Sequence, residues 1–173
     1  PLLSMKEGCA GFFSNEELNA GQGIVHSSLD KKNKRGSLPN DWIELVPVFK
    51  ETLTDGQIKA FRQGDVPGCF GALFSNLELE NPLTLPGDQL KLVDRVLEID
   101  PNSGKYGIGV IRAEMDIAPD DWFLTCHFVD DKVMPGTLMY ECCLHTLRIY
   151  LSRIGWIVDN VDIVTEPIPE VSS

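Results

Sequence analysis

Two kinds of apolar pattern divide the second half of the chain. From Leu90 to Ile99, in Leu-Lys-Leu-Val-Asp-Arg-Val-Leu-Glu-Ile, apolar and polar positions partly alternate, and from Tyr106 to Ile117 the apolar set includes Ile108, Val110, Ala113 and Met115. Alternation predicts strands, and Asp100-Pro101-Asn102-Ser103-Gly104 between them is strong turn chemistry, so an antiparallel hairpin is predicted. From Thr137 to Gly155 the apolar residues instead fall on nearly every face of a helix. Such a helix, ~28 Å long at the usual rise, is predicted to be buried and central, with Gly155 as its C-cap.

The flanks are less regular. Ser14 or Asn15 is positioned to cap a short helix beginning at Glu16-Glu17, and Thr54 with Gln57 reads as a capping box for a helix carrying Ile58 and Phe61 and stopping near Gly64-Asp65. Trp42 to Phe49 is an apolar stretch ending near Pro47. The prolines and glycine between Asn81 and Asp88 make an extended approach to the first predicted strand. After Gly155 there is room for one short strand before Pro167 and Pro169.

Composition narrows the class. Apolar content of 43% suits a globular protein, whereas 26 acidic against 15 basic residues, a formal charge of -11, argue against nucleic acid as a partner. The one dense basic run, within residues 27–41, lacks apolar periodicity and reads as a solvated linker; its lysines would alternatively dock an acidic carrier protein. Five cysteines, without metal-ligand spacing, read as the reduced thiols of a cytoplasmic protein. No apolar run reaches the ~20 residues needed to cross a bilayer.

The candidate chemistry sits where the second hairpin strand gives way to the long helix. Met134-Pro135-Gly136 is expected to launch that helix, because proline pre-sets the backbone for a first turn and glycine admits close approach. His127 precedes this turn and Glu141 follows it, which puts an imidazole and a carboxyl group on two elements near one helix N-terminus. Loss of water from a 3-hydroxyacyl thioester needs a base at Cα, an acid for the departing hydroxyl and a donor for the carbonyl. His127, Glu141 held protonated by an apolar helix environment, and the Gly136 amide are the candidates. No organic cofactor is required. Glu141 and His145 lie on one helical face but lack a third ligand, so no metal is expected and a hydrogen bond between them, or none, is the simpler reading. Cys126 and Cys142 are read as small buried residues, Tyr140 as core.

The run Trp122-Phe123-Leu124-Thr125-Cys126-His127-Phe128, followed by Asp131-Lys132-Val133-Met134-Pro135-Gly136 and then Leu138 and Glu141, resembles the hot-dog-fold 3-hydroxyacyl-[acyl carrier protein] dehydratases. Leu90 to Val96 resembles that family's first strand, and the likeness covers about residues 83–157. It implies an α+β hot-dog fold, an antiparallel sheet wrapped around a central helix. It also implies His127 as base, Glu141 as acid and the Gly136 amide as carbonyl donor. The implied partners are an acyl carrier protein with a phosphopantetheine-linked substrate and a second hot-dog unit, in a homodimer or a tandem, since the family commonly completes its site across two units. Lys132 stands where close relatives have proline. Glu141 stands where the dehydratase-isomerase branch has aspartate, so isomerisation is not implied. A hot-dog thioesterase and a non-catalytic synthase module are the alternative functions.

Residues 58–71 also resemble what precedes such domains in polyunsaturated-fatty-acid and polyketide synthases. The expected organisation is therefore residues 1–41 as the tail of a preceding domain with a linker, 42–82 as a helical and loop lead-in, and 83–173 as the dehydratase domain. One hairpin and one short strand are too little sheet to cover an all-round apolar helix. The chain is thus expected to hold part of the domain, or to take strands from another segment or subunit.

Overall fold

The computed structural model describes residues 14–21, 28, 31–32, 35–76, 83–126 and 128–156. The chain divides into two compact units, Pro1–Lys34 and Arg35–Ser173. In the first, α1 (Asn15–Ala20) is opened by a reciprocal capping box: the Ser14 hydroxyl accepts from Glu17 N, and the Glu17 carboxylate accepts from Ser14 N. Of the two candidate caps the structure selects Ser14, so the helix begins one residue before the expected start.

The second unit is built on a three-stranded antiparallel sheet ordered β1-β2-β3, with β1 at Glu51–Leu53, β2 at Arg95–Asp100 and β3 at Val110–Glu114. The predicted hairpin is β2–β3, with Asp100 opposite Val110 and Arg95 opposite Glu114. Both strands are shorter than their apolar patterns. Asp88–Leu90 winds into a 3-10 turn, and residues 101–109 form a long loop with Gly104, Gly107 and Gly109 at positive φ. Such backbone is cheap only for glycine, so the loop takes residues that alternation alone had given to the strand.

Residues before the hairpin do more than approach it. The Thr54–Gln57 capping box opens α2 (Asp55–Arg62), as predicted, and Asp65 caps the short α3 (Val66–Phe70). Among the described residues the main core cluster has twelve buried members, of which seven (Leu53, Ile58, Phe61, Val66, Cys69, Phe70 and Phe74) come from residues 53–74 and pack with Leu85, Val93, Val96, Ile99 and Ile149. The Phe61, Phe70 and Phe74 rings follow one another at centroid separations of 5.1 and 5.2 Å, within the range of favourable tilted ring pairs. Arg95 then ties three pieces together through Asp55 of α2, Glu114 of β3 and Asp116 beyond it.

The stretch 35–49 is a strap with little regular structure. Gly36 N donates to Tyr106 O at 2.7 Å, and Arg153 Nη2 donates to Pro47 O at 3.0 Å. Val46 and Val48 pack on the core while Trp42, Ile43, Leu45 and Phe49 remain exposed.

After α4 (Phe123–Cys126) the long helix α5 runs from Gly136 to Arg153. Gly155, φ +96°, follows its end, Gly155 N donates to Ser152 O and Trp156 N to Leu151 O, which closes a Schellman motif. The expectation of a buried helix is corrected. Only the face bearing His145, Ile149, Ser152 and Arg153 is buried, while Met139, Tyr140, Leu144 and Leu147 are exposed. Among the described residues the sheet has three strands and covers one side of the helix. The strand expected before Pro167 falls outside the described residues.

Candidate functional site

The segment entering the site is held at its base. The Asp121 carboxylate accepts from Ala118 N at 2.7 Å, Phe123 and Leu124 of α4 are buried, and Trp122 Nε1 donates to Gln89 O at 2.9 Å. Cys126 is exposed rather than buried, its thiol donating to Trp122 O at 2.8 Å. His127 lies outside the described residues. Beyond it, Phe128 and Asp131 form a bridge around a tight turn at Val129-Asp130, Val133 N donates to Asp131 O at 3.0 Å, and the chain reaches Met134-Pro135-Gly136 without regular structure.

Pro135 is the N-cap of α5 rather than its first helical residue. Its ψ of 137° is extended, and its carbonyl accepts from Leu138 N at 3.0 Å and Met139 N at 3.1 Å. Gly136 is therefore the first residue of the helix, where an amide has no intrahelical acceptor and the partial positive charge of the helix end is concentrated. A Cβ added at Gly136 would meet nothing within 4 Å. The space beside its Cα is thus open.

Glu141 follows on α5, with its side chain 39% exposed; the expected desolvation in an apolar environment is not what surrounds it. The buried member of the pair is His145, 2% exposed, whose Nε2 lies 3.3 Å from Glu141 Oε1. That contact is off the hydrogen-bond direction, so among the described residues neither imidazole nitrogen has a hydrogen-bond partner. Burial holds the imidazole below its ordinary pKa; Glu141 opposes the shift, and the positive charges of Arg148 and Arg62 add to it.

The two arginines shape the surroundings. Arg62 of α2 donates to Pro86 O at 2.9 Å and Val93 O at 2.7 Å, and Arg148 of α5 donates to Thr84 O at 2.8 Å. Arg62 thus ties the loop leading into β2 to α2, and Arg148 ties it to α5. A crevice of about 200 Å³ between α5 and the sheet is lined by residues of both, among them Leu92, Ala113, Met115, Met139 and Cys142. Half-buried Cys142 has its thiol pKa raised, mainly by burial, and so is a poor nucleophile. Among the described residues no three His, Cys, Asp or Glu side chains cluster as a metal site. Nor is any described helix long and apolar enough to cross a membrane.

The sequence places Gly136 and Glu141 at the start of the long helix and reads His145 as sharing a hydrogen bond with Glu141 or none, without a role of its own. Its i,i+4 spacing from Glu141 was the available signal; its burial was not visible.

Residues 85–164 match the FabA-like domain family. That stretch holds β2 and β3 of the three-stranded sheet and the long helix α5, an α+β arrangement of the hot-dog dehydratase type. The chain is also 33% identical over 157 residues to a polyunsaturated fatty acid synthase polypeptide from Thraustochytrium sp., an alignment that takes in 89% of this chain and 10% of that relative. The chain thus spans about a tenth of the relative's length.

Proposed function

We propose that this chain contributes to dehydration of a 3-hydroxyacyl thioester, carried on an acyl carrier protein, to the trans-2-enoyl thioester during fatty-acid synthesis. The observation that carries this reading is the launch of α5, where Gly136 is the first helical residue with open space beside its Cα and Glu141 follows five residues on with its side chain 39% exposed. In this mechanism His127 removes the Cα proton while the Gly136 amide takes up charge developing on the thioester oxygen. The Cα–H electrons form the new double bond, the Cβ–O bond breaks, and Glu141 gives its proton to the departing hydroxyl, which leaves as water. The crevice beside Cys142 and Met139 is apolar on most sides and suits the acyl chain.

The exposed apolar residues of α5 favour a second hot-dog unit as partner, from another copy or a tandem neighbour. The experiment uses the full chain with that second unit and a 3-hydroxyacyl carrier thioester, with mass detection of loss of water. Enoyl product abolished by His127→Ala and by Glu141→Gln supports the reading, each loss being about 10²–10⁴-fold. Free acid alone indicates a thioesterase, and no product indicates a non-catalytic module.

A further inference from the structure

We propose that Trp122 is the positioning residue for the base, fixing the angle at which the chain leaves α4 for His127. This rests on the reading of His127 as the base. α4 is four residues long, far below the ~12–15 at which a helix has stability of its own, so its orientation is set by what anchors it. Buried Phe123 and Leu124 hold it to the core, but apolar burial is non-directional and leaves the element free to turn about its anchor. A hydrogen bond supplies the missing direction. Trp122 Nε1 donates to Gln89 O at 2.9 Å, and the indole meets the Phe123 ring edge-on at a centroid separation of 5.9 Å.

The main chain of the same residue carries that direction forward. Trp122 O accepts from Thr125 Oγ1 at 3.0 Å and from Cys126 Sγ at 2.8 Å, and Cys126 directly precedes His127 in the chain. Gln89 belongs to the loop before β2, which Arg148 of α5 holds through Thr84 O and Arg62 of α2 holds through Pro86 O and Val93 O. One loop is thus the reference for both the segment before His127 and the helix bearing Gly136 and Glu141. Arg62 lies outside residues 85–164, so the region before the matched stretch takes part in this frame.

Four measurements on the full chain with its second unit test this. Trp122→Phe keeps a ring and loses the donor; kcat is expected to fall about 10²-fold, as for a ~1 Å misplacement, with little change in KM. Trp122→His, whose imidazole overlays the five-membered ring of the indole and puts Nε2–H where Nε1–H stood, is expected to restore most of that turnover. Exposed Cys126 is expected to alkylate several-fold faster in Trp122→Phe while buried Cys69 stays unreactive, which separates a loosened α4 from an unfolded chain. In the wild type the Trp122 indole N–H, assigned by its absence in either variant, is expected to exchange with solvent more slowly than those of exposed Trp42 and Trp156. Wild-type kcat in Trp122→Phe, equal losses in the two variants, a loss confined to KM, unchanged Cys126 alkylation, or an indole N–H that exchanges as fast as the exposed pair would each overturn the proposal. The exchange measurement is made on the wild-type chain, so it decides even where Trp122→Phe unfolds and exposes Cys69. Undiminished turnover in His127→Ala removes the assignment of the base, and the proposal with it. Loss of turnover there with a fully active Trp122→Phe leaves that assignment standing and removes only the role of Trp122.

Discussion

Replacing Arg153 with methionine tests how the helix bearing Glu141 is fixed to the rest of the fold. The guanidinium, 3% exposed, donates to Pro47 O at 3.0 Å and brings Nε within 2.6 Å of Glu51 Oε1. Its centre lies 5.8 Å from the Phe74 ring. One residue thus joins α5 to the strap, to β1 and to the aromatic core. Loss of a charged hydrogen bond costs about 1.5–3 kcal/mol, and loss of the ring contact about 0.5–2 kcal/mol. Against this, the wild-type Nη1 has no hydrogen-bond partner among the described residues and Nε is poorly aligned with Glu51. Removing them returns about 1–3 kcal/mol of desolvation.

Glu51, with its side chain 26% exposed, regains water and escapes the full penalty of an orphaned buried charge, about 3–5 kcal/mol. Arg153→Met is therefore expected to destabilise by about 2–3 kcal/mol, read as a fall in Tm of about 4–12 °C. Urea denaturation of Arg153→Met, Glu51→Met and the double variant completes the cycle, with an expected coupling above about 1 kcal/mol and a double variant less destabilised than the sum of the singles. A single-variant loss below about 0.5 kcal/mol, or no coupling beyond ~0.5 kcal/mol, would refute the account of Arg153 as the tie between helix and sheet.

Three further outcomes are expected. Gly109→Ala places a side chain at φ +131°, where its Cβ would overlap the Tyr150 hydroxyl; a loss of about 2–4 kcal/mol in thermal or chemical unfolding is expected, part of it recovered by adding Tyr150→Phe. His145 resists protonation when folded, so the unfolded chain binds the extra proton as pH falls below about 6.5, and stability should decline from pH 7 toward 5.5 with a His145 contribution of at most about 1.4 kcal/mol per pH unit. Unfolding curves of His145→Gln should show a shallower slope, and an unchanged one would refute the assignment. In peptide-mapped alkylation of the native protein, exposed Cys126 and Cys143 should react while Cys69, buried and with its thiol pKa pushed up to about 12, should react only on unfolding.

Local rules made parts of the fold legible. A helix start capped at Ser14 or Asn15, the Thr54–Gln57 capping box, the β2–β3 hairpin and the end of α5 at Gly155 each depend on contacts between residues a few positions apart or on one strong turn. β1 was not legible because a three-residue strand carries little periodicity and is defined by its pairing with β2. The burial of the lead-in was also hidden, since Phe61, Phe70 and Phe74 become a core only when α2 and α3 pack beneath the sheet.

The sequence by itself determined that a proline-glycine turn would start a long helix, and that Glu141 and His145 would share one of its faces, because helical periodicity fixes which residues are neighbours. Only the tertiary structure decided which of the two would face water. Arg148 ties the loop before β2 to α5 and Arg62 ties it to α2, and in the packed unit His145 is 2% exposed while the Glu141 side chain is 39% exposed. Burial depends on what packs against a helix, and that covering comes from residues far away in the chain.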